Sequence, residues 1–150
     1  MEQYTGFSAN ASLALVAEWT NTNRIWKELT ARIHIRQKTI RHSPSDKLKD
    51  LLINMWAGGE RISSINNILR TEEGLQRLFG RTACAEQSTV SETLNAVSVE
   101  NIVEMEGFIK QVYREHSLCY QHDYKKNWLL LDVDLTGMLA GKKAEGSEKG

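Results

Sequence analysis

The sequence predicts a mainly α-helical protein: a compact helical bundle with a helix-turn-helix-like part, followed by one β-strand and a loose tail. Three observations predict this fold. Apolar residues recur at helical spacing over most of the stretch from about residue 9 to 122. Several of these stretches begin at a good N-cap residue and end at glycine. A single short apolar run, which begins at Trp128, has the length of a buried strand.

The composition is that of an ordinary globular protein. The chain has 150 residues, of which 41% are hydrophobic and 25% are charged, and its formal net charge is zero. No apolar run approaches the length of a membrane span, and the first residues do not resemble a secretory signal. The two cysteines, Cys84 and Cys119, have no framework spacing. We therefore expect a cytoplasmic protein with no membrane partner.

Charge is sorted along the chain into a basic and an acidic block. From Arg24 to Lys49 there are eight Lys or Arg against two acids, whereas from Thr82 to Ile109 there are five Glu and no Lys or Arg. The acidic block is best interpreted as solvated helix surface. For the basic block, solvated surface and a phosphate-binding surface fit the pattern about equally. Its candidate DNA contacts are Arg24, Lys27, Arg32, Arg36, Lys38 and Arg41.

The first two predicted helices precede a weaker stretch. Leu13, Val16 and Ala17 mark the first inward face, and a second helix begins near Asn23. From Ile33 to Ile40 the helical pattern weakens and apolar residues alternate with polar ones, so a short extended segment is expected there.

The third helix has the clearest signals in the chain. Ser43 is a good N-cap, Pro44 suits the first helical position, and Asp46 lies in the first turn, where the helix dipole favours an acid. Gly58-Gly59 ends the helix. Its predicted core stripe is Leu48, Leu51, Leu52, Met55 and Trp56.

Shorter helices follow, and then a long one. Thr71 is the predicted cap of a helix that Gly80 ends, Ser88 is the predicted cap of the next, and Ser98 is that of a long helix running to about His122. The predicted inward stripe of the long helix is Val99, Ile102, Val103, Ile109, Val112, Tyr113 and Tyr120.

A helix-turn-helix arrangement is one interpretation of the short helices. Tight turns and the Ser88-Thr89-x-Ser91 helix start suggest it, with the helix from Ser88 to Val97 as the recognition helix and Ser88, Thr89 and Ser91 as candidate DNA contacts. Any compact helical bundle also has such turns. The helix offers only hydroxyl and amide groups, so the residues alone favour the bundle without DNA reading.

The apolar run from Trp128 leads into two aspartates. Asp132 and Asp134 are two residues apart, so on a strand they would lie on one face. Two neighbouring carboxylates are suited to a hard divalent cation. The alternative is that they only cap the end of the strand. A lone strand cannot satisfy its own backbone, and three placements are open: packing on the bundle, pairing with residues 33–40, or fraying.

Several short motifs follow one another along the chain. They are Ser43 to Leu48, Trp56 to Gly59, Ile62 to Arg70, Gln87 to Ser91 and Leu130 to Gly137. From about Ser43 onward, their order and spacing together resemble the N-terminal part of bacterial insertion-sequence transposases of the DDE type. In that family a helical region that resembles a DNA-binding domain precedes a ribonuclease-H-like core.

The resemblance implies a site and a reaction. The first strand of the family's core carries the first catalytic aspartate, usually as Asp-x-Thr or Asp-x-Ser. Asp134-Leu135-Thr136 matches, so Asp134 is the expected catalytic and metal-binding residue and Asp132 the second choice. The chemistry implied is phosphoryl transfer with two Mg²⁺ ions. The second Asp and the Glu of the triad would lie beyond residue 150, so the chain is expected to be an N-terminal fragment, inactive alone.

The implied organisation has three parts: a DNA-binding-like helical domain over 1–122, the first strand of a truncated ribonuclease-H-like core over 123–136, and a disordered tail over 137–150. The expected partner is DNA at the transposon ends. The alternative function is a helical interaction module without DNA binding, which forms a homo-oligomer or associates with an intact transposase. A small metal-dependent nuclease acting through Asp132 and Asp134 is the least favoured hypothesis.

Overall fold

The computed structural model describes residues 10–38 and 41–128. Within these ranges the protein is mainly helical, as predicted, and contains no strand. After a 3-10 turn at Ala11–Leu13, the helices are α1 (Ala14–Thr22), α2 (Ile25–Arg32), α3 (Pro44–Trp56), α4 (Ser64–Asn67), α5 (Glu73–Leu78), α6 (Gln87–Asn95), α7 (Val99–His116) and α8 (Leu118–Gln121).

Most of the predicted strand and the whole predicted tail lie outside the described residues. Of the segment 123–136, residues 123–128 are described: 124–126 form a turn, none of the six is in a strand, and the Trp128 side chain is fully exposed. Asp132 and Asp134 belong to the part that is not described. The single strand and its placement therefore stay predictions.

Two predicted helix starts are confirmed, each with a reciprocal capping box. The Ser43 hydroxyl accepts a hydrogen bond from the Asp46 backbone N–H (3.1 Å), and the Asp46 carboxylate accepts one from the Ser43 N–H (3.3 Å). Ser98 and Asn101 make the same exchange at the start of α7. Each cap satisfies backbone donors that would otherwise lack a helical partner, which stabilises a helix by about 1 kcal/mol.

The predicted caps Thr71 and Ser88 are wrong. The Thr71 hydroxyl donates backwards to the carbonyls of Asn67 and Ile68. Ser88 lies inside α6, which begins at Gln87. The Gln87 N–H is bound instead by the side-chain oxygen of Asn66 at 3.2 Å. The cap of α6 is therefore supplied by Asn66 of α4, and the sequence around α6 does not indicate this.

The buried face of α3 is not the predicted apolar stripe. Leu48 is buried as expected, but Met55 and Trp56 are 58% and 39% exposed. The polar residues Asp50 and Asn54 are fully buried instead. The reason is tertiary: α3 packs against α6, and the side facing inward has an arginine partner for Asp50.

The predicted core stripe of α7 is largely exposed. Phe108 and Asn101 are the residues that α7 buries. The helix also ends earlier than predicted, because Ser117 adopts an extended conformation after His116. Six members of the predicted stripe are at least half exposed: Val99, Ile102, Val103, Ile109, Tyr113 and Tyr120, the last of which lies in α8.

The connection after α2 alternates as predicted. Ile33 and Ile35 are buried in one apolar cluster with Phe108 of α7, whereas His34 and Arg36 are exposed. Residues 33–38 have no regular secondary structure, and 39–40 are outside the description.

The chain divides into two units, Met1–Ser117 and Leu118–Gly150. The first contains α1 to α7. In the described part of the second, α8 is followed by a turn in which the Tyr124 hydroxyl donates to the Cys119 carbonyl at 2.8 Å. None of the described helices is long and apolar enough to cross a membrane.

Candidate nucleic-acid interface

A buried ion pair links α3 to the segment after α5. Arg81 donates from Nε to one carboxylate oxygen of Asp50 (2.7 Å) and from a terminal nitrogen to the other (3.1 Å). Its second terminal nitrogen contacts Asp46 at 2.6 Å. Asp50 is fully buried and also accepts the Ala85 N–H at 2.8 Å. This bidentate geometry holds residues 81–85 against α3.

The ion pair sets the charge state of its surroundings. Burial lowers the pKa of Arg81, but hydrogen bonding to Asp50 and the charges of Asp50 and Asp46 outweigh it, so the pKa is raised overall. Burial and the Asp50 charge raise the pKa of the Cys84 thiol to about 12. Burial and then the Arg81 charge lower the pKa of His42. Arg81 therefore stays charged, and Cys84 stays a thiol rather than a nucleophilic thiolate.

Beside the ion pair lies an open cleft of about 330 Å³, here called the arginine cleft, whose charged lining is Arg41, Arg70, Glu73, Arg77 and Arg81. Arg77 pairs with Glu73 at 3.3 Å. Arg70 is 4.0 Å from Glu86, and its side chain is 43% exposed. Arg41 is also exposed.

The arginine cleft is joined to the first turn of α6 through Asn66. The Asn66 side-chain oxygen accepts from Arg70 (3.3 Å) and from the Gln87 N–H (3.2 Å). Ser88 is exposed in that turn, whereas Thr89 and Ser91 are half-buried. The Thr89 hydroxyl donates to the Glu86 carbonyl at 2.8 Å. Of the three predicted contacts on α6, Ser88 is therefore the most accessible.

A second contact fixes part of the basic block against α6. The side-chain oxygen of Gln37 accepts hydrogen bonds from the Thr93 hydroxyl on α6 (2.6 Å) and from Lys47 on α3 (3.2 Å). Arg36 and Lys38 flank Gln37 in sequence and are exposed. Their backbone positions are therefore held close to α6.

The basic block does not form one surface. Arg24, Lys27 and Lys49 line a different cleft of about 270 Å³. Arg32 lies within 3.9 Å of Glu28 on its own helix. Arg41 alone among the predicted contacts lines the arginine cleft. The six candidates are thus divided between separate places.

Three arginines of the cleft escaped the sequence reasoning. Arg70, Arg77 and Arg81 lie outside the basic block and are mixed with acids such as Glu72 and Glu73. The tertiary structure places them around one cleft with Arg41, and part of its lining, residues 81–85, is held against α3 by contacts to Asp50. Arg70 and Arg77 are seven residues apart, which would place them on one side of a continuous helix. The turn between α4 and α5 interrupts the helix, so this spacing did not indicate a shared surface.

Within the described ranges, no group of three or more His, Cys, Asp or Glu side chains could hold a metal ion. The described residues therefore do not supply a metal centre, and the predicted roles of Asp134 and Asp132 stay predictions.

Comparison with known proteins identifies the family. No curated protein and no solved structure matches the chain. The family described as transposase DDE domain group 1 matches residues 5–146, which include the helical region as well as both predicted aspartates. DDE transposases generally use divalent metal ions and act on DNA. The chain therefore belongs to the transposase DDE domain group 1 family, and its function is related to DNA transposition.

Proposed function

We propose that the helical region binds DNA at the ends of a transposable element, through the arginine cleft and the first turns of α6. The observation that carries this proposal is the cleft itself: four arginines converge beside the first turn of α6. Phosphate is the anion that such a surface meets on a duplex, and planar guanidinium groups match its oxygens.

The four arginines of the cleft have two different proposed roles. Arg81 is committed to Asp50 and Asp46, so it shapes the wall rather than supplying a free charge. Arg41, Arg70 and Arg77 are exposed and are the proposed phosphate contacts. Arg36 is held near α6 through Gln37 but lines a separate cleft with Glu100 and Glu104, so it is not part of this surface.

The short helices α4, α5 and α6 form the proposed helix-turn-helix-like part, with α6 as the reading helix. Ser88 and Ser91 provide hydroxyl groups, which can contact several bases without strong discrimination. Binding is therefore expected to depend mainly on phosphate contacts and only weakly on sequence.

For the reaction, we propose Asp134 as the first catalytic acid and metal ligand, Asp132 as the alternative, and Mg²⁺ as the ion. Support comes from family membership and from the Asp-Leu-Thr setting. The domain division at 122 and 136 belongs to the same proposal.

The DNA-binding proposal is tested by fluorescence anisotropy with a labelled duplex over a range of NaCl concentrations. Log affinity should fall linearly with log salt, by about 0.9 for each phosphate contacted. In the double variant Arg70→Ala/Arg77→Ala, the slope should fall by about 2, because two contacts are lost.

The matched control is Arg24→Ala/Lys27→Ala, which removes two charges from the other cleft. Its slope should stay near that of the parent chain. Equal losses in the two variants would show that only overall charge matters, and no binding at low salt would overturn the proposal.

Protein interaction is the second candidate function, and the exposed apolar side of α7 favours it.

A further inference from the structure

A cleft beside α2 is lined by three positive side chains, Arg24, Lys27 and Lys49, and we call it the α2 cleft. Arg24 and Lys27 are exposed, whereas Lys49 is half-buried. The other side chains of its described lining are neutral, and no described carboxylate is among them. The α2 cleft therefore presents positive charge to solvent without an acid of its own.

The cations of the α2 cleft differ from those of the arginine cleft in having no ionic partner. In the described ranges, none of the three side chains forms an ion pair. In the arginine cleft, by contrast, Arg81 is paired with Asp50 and Asp46, and Arg77 is paired with Glu73. Like charges that share a cleft repel one another, and an anion bound among them offsets that repulsion.

Lys49 is fixed at the α2 cleft by an aromatic ring. Its ammonium group lies 4.7 Å from the centre of the Trp26 ring, in a cation–π contact. The Trp26 indole N–H donates to the hydroxyl of the buried Thr20 at 3.2 Å, which holds the ring in place. Burial, and after it the Arg81 charge, lower the pKa of Lys49. An anion beside this ammonium group would stabilise its charged form.

Arg24 reaches the α2 cleft from an unfavourable backbone conformation. It joins α1 to α2 with a φ angle of 55°, and it is the one non-glycine residue with positive φ in the described part of the chain. Glycine adopts this conformation freely, whereas a residue with a Cβ is strained in it. An arginine here therefore gives up some stability while it places a charge at the cleft.

We propose that the α2 cleft binds a phosphate group of a small compound, at a site separate from the arginine cleft. The planar Arg24 guanidinium can donate to two phosphate oxygens, while the Lys27 and Lys49 ammonium groups act as point charges. The cleft has a volume of about 270 Å³. This equals roughly nine water molecules at about 30 Å³ each, which is enough for a diphosphate. Phosphates of DNA have the same chemistry, so the experiment must separate the two sources.

Binding is tested by titrating the ¹⁵N-labelled full chain with pyrophosphate at constant ionic strength. Because Trp26 lines the α2 cleft, its indole N–H signal in NMR should shift and saturate. In Arg24→Gly/Lys27→Gln the affinity should fall at least tenfold. The matched control Lys110→Gln/Arg114→Gln removes two exposed charges from α7 and should leave the affinity unchanged. No saturable shift, or equal losses in the two variants, would overturn the proposal.

The single variant Arg24→Gly separates the loss of charge from a loss of folding. Glycine relieves the strained φ angle, so its Tm in chloride should be at least that of the parent chain. Pyrophosphate should raise the Tm of the variant less than that of the parent chain, because a ligand stabilises in proportion to its binding. An equal rise in both chains would overturn the proposal.

A DNA duplex distinguishes the two sources of phosphate. When duplex is added at low salt to the pyrophosphate-bound chain, the Trp26 signal should keep its bound position if the ligand is a small compound. A new position of the Trp26 signal would show that duplex phosphates displace pyrophosphate. That result would overturn the assignment to a small compound and make the α2 cleft part of the DNA path.

Discussion

Helices α3 and α7 both depart from the rule that apolar side chains are buried and polar ones exposed, but in opposite ways. α3 buries the charged Asp50 and the polar Asn54 while exposing Met55 and Trp56. α7 buries little beyond Asn101 and Phe108 and leaves a row of apolar residues in water. The difference teaches that a polar group is buried where a partner of matching geometry exists, and an apolar group is exposed where no neighbour within the first unit covers it.

The largest expected loss of stability comes from removing the arginine partner of the buried Asp50. Arg81→Ala leaves the Asp50 carboxylate buried without its cation, and removing one partner of a buried ion pair costs about 3–5 kcal/mol. Urea denaturation measures the free energy of unfolding. The control is Arg77→Ala, whose arginine belongs to an exposed pair and should change stability by less than about 0.5 kcal/mol. Similar losses in both variants would contradict a special role for the buried pair.

Alanine substitutions at Gly59 and Gly107 should have effects of intermediate size and opposite sign on the free energy of unfolding. A Cβ at Gly59 would collide with the amide of the buried Asn54, so Gly59→Ala should cost about 1–3 kcal/mol. A Cβ at Gly107, on the exposed helix α7, meets nothing within 4 Å. Gly107→Ala should therefore raise the free energy of unfolding by about 0.5–1 kcal/mol through helix propensity. Thermal melts of both variants would show shifts in opposite directions, and shifts of the same sign would reject this contrast.

The smallest expected change in stability comes from replacing an exposed apolar residue of α7. Ile102→Ser should change the free energy of unfolding by less than about 0.5 kcal/mol at low protein concentration, because Ile102 is 56% exposed. Phe108 is a buried residue of the same helix, so Phe108→Ala should lower the free energy of unfolding by about 3–5 kcal/mol. Denaturation at two protein concentrations separates folding from association. A large loss of stability in Ile102→Ser at the lower concentration would mean that Ile102 is buried within the monomer.

Much of the local structure was predictable because its causes are local. Ser43 and Ser98 are confirmed as caps since each finds its partner three residues on. Gly58 and Gly80 follow α3 and α5 with positive φ angles of 84° and 69°, a region that side chains disfavour. Ser88 failed as a cap because Asn66, twenty-one residues earlier, supplies the hydrogen bond.

The candidate interface was only partly predictable. The basic block led to Arg41, but Arg24 and Lys27 line another cleft, and Arg70 and Arg77 were missed. Runs of charge in a sequence report net composition, whereas a binding surface depends on which helices meet. The aspartates of the family motif carry a prediction that rests on sequence and family membership alone.

The sequence alone was enough for the helical class, the best-capped helix starts, the glycine stops and the transposase family. Short-range hydrogen bonds and backbone preferences act within a few residues, and the order of the motifs can be read along the chain. Only the tertiary structure decided which side of each helix is buried. That choice depends on long-range partners: Arg81 made a charged side of α3 fit the interior, and Phe108 rather than the neighbouring apolar stripe took the place beside α2.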